Sequence, residues 1–198
     1  KARCPFHQEK TPSFFVDPQA GVFKCFGCGV GGDVFTFLMK IEGLTFPEAA
    51  ERLANQLGLP WRAAPADKAR LERRRGQYSA LEIAAEHFRR NLQSPRGAAA
   101  REYLEQRGLR PETLETYGLG LALDDWEDLA RHLSRQGVPA AVAREAGLIR
   151  ARQSASGHYD VFRHRIMFPI TDASGRVLGF GGRTLDPEES AKYLNSPD

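Results

Sequence analysis

Cys4-Pro5-Phe6-His7 and Cys25-Phe26-Gly27-Cys28 set three thiols and one imidazole in two matched pairs near the start of the chain. A turn carrying C-x-x-H or C-x-x-C delivers two donors at the separation one tetrahedral ion accepts, and sulfur with imidazole nitrogen is the donor set of zinc. Four protein ligands leave no open position for water, so the pattern favours a structural site over a catalytic one. The competing reading is three unpaired cysteines beside an unrelated histidine. Against it stand the repeated spacing and the glycines at 27, 29, 31 and 32, which let backbone N–H groups turn toward the Cys25 sulfur. A structural zinc site contributes roughly 10–16 kcal/mol of apparent binding free energy to folding, more than so small a segment gains from its core.

The elements that must hold these donors follow from local patterning. Thr11–Asp17 and Val22-Phe23-Lys24 are apolar and aromatic runs around a Gly21 turn, as in the β-hairpin of a zinc ribbon. Asp33 can cap a helix whose apolar positions Val34, Phe37, Leu38 and Ile41 share one face. Thr45-Phe46-Pro47-Glu48 spells a capping box ahead of Ala49, Leu53 and Leu57, with Gly58 as the stop. Pro60 to Asp67 lacks periodic apolar residues and carries two prolines, and Arg73-Arg74-Arg75-Gly76 follows; residues 62–76 therefore read as a basic interdomain linker.

Beyond it, Tyr78, Leu81, Ala85, Phe88 and Leu92 form a helical stripe. Tyr103 with Leu104 form a second before Gly108, and Trp126, Leu129 and Leu133 a third before Gly137. The period then changes. Ile166, Phe168 and Ile170 alternate along a strand, Asp172-Ala173-Ser174-Gly175 turns, and Val177–Arg183 returns. Strand alternation predicts that Arg163 and Arg165 share an exposed face opposite the three apolar residues. Gly179, Gly181 and Gly182 leave room for another backbone or a phosphate beside Arg183. Lys192-Tyr193-Leu194-Asn195 adds a cation, a ring and an amide, a combination suited to single-stranded nucleic acid.

Composition bounds the class. The 198 residues carry 28 Lys and Arg against 25 Asp and Glu, a net charge of only +3, so bulk charge does not announce a nucleic-acid partner. Residues 62–110 nonetheless hold 12 basic and 6 acidic side chains, while residues 1–61 balance at 6 and 6. All 3 cysteines fall in the metal pattern, leaving none for a disulfide framework; a reducing, cytoplasmic setting is expected. No apolar run reaches the roughly 20 residues that span a bilayer, so no membrane role is expected. The chain opens at Lys1 without a methionine and is expected to be a fragment. The predicted class is α+β: a zinc ribbon with flanking helices over 1–61, then a mixed helical and antiparallel-strand subdomain over 77–198.

Taken together, these residues resemble the N-terminal part of bacterial DnaG-type primases. CPFHQEKTPSFFV with FKCFGCGVGGDVFTFL is similar to that family's zinc-binding domain. REYLEQRGL with YGLGLA and Trp126 is similar to its helical subdomain, and FRHRIMFPITDASGRVLGFGGRTL with KYLNSPD to the opening of its RNA polymerase domain. The resemblance implies a DNA-directed RNA polymerase that makes short RNA primers on single-stranded DNA template. It implies one structural Zn²⁺ on Cys4, His7, Cys25 and Cys28, and template contacts at Arg163, Arg165, Arg183, Lys192 and Tyr193. It further implies nucleotide contacts at Lys192, Tyr193 and Asn195, where alarmone nucleotides also bind. Mg²⁺ or Mn²⁺ catalysis would belong to a Toprim domain beyond Asp198, and a replicative helicase would be engaged through a C-terminal domain. The chain alone is expected to be inert, with Asp124-Asp125 and Glu188-Glu189 on solvated surface. Val161 and the terminal Pro197-Asp198 depart from the family's usual Arg and Pro-Glu-Thr. The alternatives are a stand-alone zinc-ribbon single-stranded DNA-binding module of a phage or mobile element, and a transcription-factor ribbon that prefers duplex.

Overall fold

A computed structural model of the chain describes residues 1–61, 64–153 and 156–197. The chain divides into two compact units, Lys1–Glu72 with Asp172–Ser174, and Arg73–Thr171 with Gly175–Asp198. In the first, β1 (Phe14–Asp17) and β2 (Val22–Cys25) form the expected antiparallel hairpin, its turn closed by Gly21 at φ +67°. β3 (Gly31–Asp33) adds to β2, giving the order β1-β2-β3. Alternation along the hairpin turns Phe14, Phe23 and Cys25 inward, where they meet Phe6 and Phe37. The ring centroids lie 5.3 to 6.2 Å apart, so one aromatic cluster forms the core of this small sheet.

Asp33 caps α1 (Val34–Ile41) by accepting the Thr36 N–H at 2.8 Å. The capping box is present at α2 (Phe46–Gln56), with the Glu48 carboxylate accepting the Thr45 N–H at 2.7 Å. α2 buries Ala49 of the expected stripe together with Ala50 and Ala54, and Leu53 is half-buried. Leu57 lies at the fraying end, 69% exposed.

Residues 65–76 of the expected linker are helical, and the boundary between the two compact units, at Glu72/Arg73, falls among them. They open α3 (Pro65–Gln93), one continuous helix. Ala, Leu, Glu, Lys and Arg, all strong helix formers, fill this stretch, and helical propensity there outweighs the absence of an apolar stripe. Arg73 and Gln77 also bind the Glu145 carboxylate, the former through Nε at 2.6 Å. Arg62 and Ala63, which begin the expected linker, and Asp198 lie outside the described residues.

In the second unit the α3 stripe Leu81, Ala85, Phe88 and Leu92 is buried as its spacing requires. α4 (Ala98–Gln106), α5 (Pro111–Thr116), α6 (Asp128–Arg135) and α7 (Ala140–Glu145) are short helices. β4 (Gly120–Ala122), β7 (Arg165–Thr171), β8 (Val177–Thr184) and β9 (Tyr193–Asn195) make an antiparallel sheet in the order β4-β7-β8-β9. β5 (Ile149–Ala151) and β6 (His158–Asp160) form a separate pair.

The β7 face pattern overturns the alternation argument. Arg165, Ile166 and Met167 are all buried, at 6%, 0% and 1% exposure, while Phe168 and Ile170 are exposed. β7 is a central strand, and only its first three residues pair with β4. There Ile166 packs into one core cluster and Met167 into another, so both faces are covered; past β4 the strand meets solvent. Arg163 does not share a face with Arg165 either, because His164 between them has φ +48° and breaks the extended run.

Candidate metal centre and nucleic-acid face

The first knuckle is pinned beside the sheet by an Ala2–Phe14 bridge, with Ala2 N–H donating to the Phe14 carbonyl at 2.8 Å. The second is a tight turn off the end of β2, in which Cys25 N–H donates to Val30 O at 2.7 Å and Gly29 N–H to Cys25 O at 3.0 Å. The two turns bring the donor atoms of Cys4, His7, Cys25 and Cys28 within 4.8 Å of one another. Cys4 Sγ lies 3.9 Å from Cys28 Sγ, and Cys25 Sγ 3.8 Å from His7 Nδ1. Those separations are far beyond a disulfide, and the cysteines are free. They lie within about 0.3 Å of the donor edges, about 3.8 Å for S–S and 3.5 Å for S–N, that a tetrahedron with Zn–S near 2.3 Å and Zn–N near 2.0 Å requires. Phe6 N–H points at Cys4 Sγ (3.4 Å) and Cys28 N–H at Cys25 Sγ (3.5 Å), the donors a thiolate site needs.

Burial alone would raise the Cys25 thiol, but the Ser13 hydroxyl and the N–H groups of Cys28 and Gly27 outweigh it, bringing Cys25 down to about 6. Burial, reinforced by the neighbouring sulfurs, raises Cys4. Two contributors escaped the sequence reading. Glu9 accepts the N–H of Cys4 at 2.7 Å and of Ser13 at 3.0 Å, and Ser13 Oγ lies 3.2 Å from Cys25 Sγ. An acid two residues after His7 was the available signal.

The template-side candidates divide into three environments. Arg163 stacks on Trp126 at 4.0 Å, with Tyr159 5.6 Å away, and donates to the Asp160 carbonyl. Trp126 is not part of the α6 stripe; it precedes the helix and is 57% exposed, whereas Leu129 and Leu133 are buried. Arg183 donates to Tyr193 Oη at 2.8 Å and lies over both Tyr193 and Tyr103, while Arg107 covers Tyr103 at 5.3 Å. Tyr103, Arg107, Arg183 and the exposed Lys192 line a cleft of about 270 Å³. Tyr103, Arg107, Trp126 and Tyr159 went unmarked as site residues: Tyr103 meets Arg183, and Trp126 meets Tyr159 and Arg163, from far along the chain, whereas the pairs Tyr103–Arg107 and Tyr159–Arg163 lie four residues apart and were open to local spacing.

Arg165 stands apart, its guanidinium donating to the carbonyls of Ala191 (2.9 Å) and Gly182 (3.4 Å). Asn195 is exposed on β9 opposite Gly181. The room left by the glycines is taken by the protein itself: a Cβ on Gly179 would meet Ser196, and one on Gly182 would meet Phe162 and Arg165. Of the acidic pairs, Asp124, Glu188 and Glu189 are exposed and Asp125 is bound to Arg131 at 2.6 Å. Among the described residues no helix is long and apolar enough to cross a membrane.

Two family models cover this layout. Residues 1–69 match the CHC2 zinc finger, and residues 87–198 match the N-terminal domain of the DNA primase catalytic core. The chain belongs to the DnaG-type DNA primase family. It is 44% identical over 202 residues to the DNA primase of Synechocystis sp., covering 98% of this chain and 32% of that protein. It is 42% identical over 198 residues to the DNA primase of Deinococcus radiodurans, covering 100% and 33%. It thus spans about a third of the length of the curated relatives it matches. Among solved structures, the zinc-binding and RNA polymerase domains of Aquifex aeolicus primase align with the whole chain and 46% of their own length, at TM-score 0.58 and 35% identity. A DnaG primase catalytic domain bound to single-stranded DNA aligns over 65% of this chain and 39% of its own, at TM-score 0.58 and 36% identity.

Proposed function

We propose that this chain is the zinc-binding, template-guiding front of a primase that lays RNA primers on single-stranded DNA. The observation that carries the reading is the pairing of guanidinium groups with accessible rings, Arg163 on Trp126 and Arg183 on Tyr193. Such pairs offer cations to phosphates and flat faces to unstacked bases, the two demands of a single strand. The single-stranded DNA in the related catalytic domain supports the same reading. On this account Arg163, Arg183, Lys192 and Tyr193 contact template, with Trp126 and Tyr159 completing the first stack. Lys192, Tyr193 and Asn195 border the nucleotide site. Buried Arg165 serves that face by holding it in place.

Cys4, His7, Cys25 and Cys28 would hold one Zn²⁺, which supplies a cross-link between two turns and leaves reaction chemistry to other groups. Nucleotidyl transfer needs divalent cations held by clustered carboxylates. We assign those, as Mg²⁺ or Mn²⁺ ligands, to a Toprim domain of the whole protein, and helicase contact to a further domain; the setting is the cytoplasmic replication fork. Fluorescence anisotropy with labelled single-stranded and duplex oligonucleotides over a salt series tests the reading. Single strands should bind more tightly with a steep salt dependence, and Arg183→Ala should weaken them. Equal or stronger duplex binding would refute it.

A further inference from the structure

We propose that Glu9 is the positioning residue of the metal centre: its carboxylate decides which imidazole nitrogen of His7 faces the sulfurs, and it ties the first knuckle to the second through Ser13. The proposal rests on the zinc-ligand assignment above. An imidazole can ligate through either ring nitrogen, and the ligating one must carry no proton. Here Nδ1 faces the cluster, 3.8 Å from Cys25 Sγ, and Nε2 faces away, 3.4 Å from Glu9 Oε2. The single ring proton of the neutral ligand then sits on Nε2, on the side of the Glu9 carboxylate. A carboxylate or carbonyl placed behind a ligand histidine in this way fixes its tautomer and ring orientation.

Glu9 is itself held. Oε1 accepts the N–H of Cys4 and of Ser13, Oε2 accepts the Ser13 hydroxyl, and the side chain is 10% exposed. One carboxylate therefore acts on three of the four donors: Cys4 through its backbone, His7 through its ring, and Cys25 through Ser13 Oγ. The simpler role is a loop staple that happens to lie near His7. Glu9→Gln separates the two roles. Its carbonyl oxygen can still accept both backbone N–H groups, but its NH₂ would confront the His7 Nε2–H, donor against donor.

The test uses the 198-residue chain in three forms, wild type, Glu9→Gln and Ser13→Ala. Zinc affinity is measured by competition with a chromophoric chelator, and the His7 ring by ¹⁵N NMR of the zinc-loaded protein. Glu9→Gln should lose about 10- to 100-fold in affinity and expose the His7 Nε2–H to faster exchange. Ser13→Ala should weaken binding while leaving that proton in place. A Glu9→Gln chain with wild-type affinity and an unchanged ring signal overturns the proposal. So does a wild-type spectrum with the proton on Nδ1, a result that needs no variant to fold. A wild type that takes up no zinc overturns the ligand assignment itself, and the Glu9 role with it.

Discussion

Gly27→Ala should break the metal centre by crowding, with no help from backbone strain. Gly27 lies outside the left-handed region, so its φ suits any residue. A Cβ there would sit 2.7 Å from His7 Nε2, 2.8 Å from Ser13 Oγ and 3.0 Å from His7 Cε1. Carbon and nitrogen pack at about 3.5 Å, so the imidazole or the knuckle must move by roughly 0.8 Å. Metal–ligand distances hold to about 0.2 Å, and the displacement is several times that tolerance. A loss of at least the 10- to 100-fold typical of disturbed supporting contacts follows, about 1.4–2.7 kcal/mol. Gly29→Ala is the control. Gly29 has φ +77° and open space around the added atom, so that change costs about 1–2 kcal/mol of local strain and leaves the donors where they are. The assay is Co²⁺ substitution. The d–d bands of a tetrahedral three-sulfur, one-nitrogen site should shift or weaken in Gly27→Ala and stay in place in Gly29→Ala. A Gly27→Ala protein with the wild-type spectrum and zinc affinity would refute the packing argument.

Stripping the metal with a strong chelator should abolish the order of the first unit and spare the second, read by circular dichroism together with exchange protection of the α3 and β7 amides. Trp126→Ala and Arg163→Ala should both weaken single-stranded DNA binding, and the salt slope separates them. Removing one phosphate contact lowers the slope by about 0.7, whereas loss of a stacking ring costs about 1–3 kcal/mol per base and leaves it unchanged. Asp160 is 2% exposed, and burial pushes its carboxyl up to about 6 despite the N–H groups of Leu129 and Ala130 that it accepts. A folded pKa above the unfolded value means the folded state binds this proton more tightly. Its contribution is therefore full below about pH 4 and is lost as pH rises through about 6, a change of up to ~3 kcal/mol. The stability difference between wild type and Asp160→Asn, taken from urea midpoints at pH 4, 5.5 and 7, should shrink along that series; a constant difference would refute the assignment.

The metal centre was legible in the sequence because its donors come in two local pairs, and local spacing survives folding. Capping residues were legible for the same reason: Asp33, Thr45 and Glu48 act within one turn of themselves. The errors arose wherever a neighbour distant in sequence decided the outcome. Arg165 is buried because β4 covers the start of β7, and three-residue strands such as β4 and β9 leave too little periodicity to notice. Trp126 was placed in a helical stripe on spacing alone, although its partners Tyr159 and Arg163 come from a strand and a loop more than thirty positions later. That the linker segment is helical went unread for a different reason: an apolar stripe reports what a helix packs against, and a helix rich in Arg, Glu and Ala can form without one.

Arg165 shows how a residue marked for contact can act at one remove. A guanidinium at 7% side-chain exposure must spend its donors inside the protein, because a buried unpaired charge costs several kcal/mol. Its donors go to the Ala191 carbonyl and, at longer range, to Gly182 O, with Glu189 3.9 Å away to offset the charge. Ala191 immediately precedes Lys192 and Tyr193, and Gly182 precedes Arg183, so one side chain fastens the approaches to both strands of the cleft. The register Arg183↔Tyr193 then sets ring and guanidinium side by side across the sheet, where the Tyr193 hydroxyl accepts from Arg183 at 2.8 Å. The strand pairing and the buried arginine together hold the exposed groups at one geometry. A flexible loop would lose side-chain and backbone freedom on meeting a single strand, and this sheet has already given up that entropy on folding.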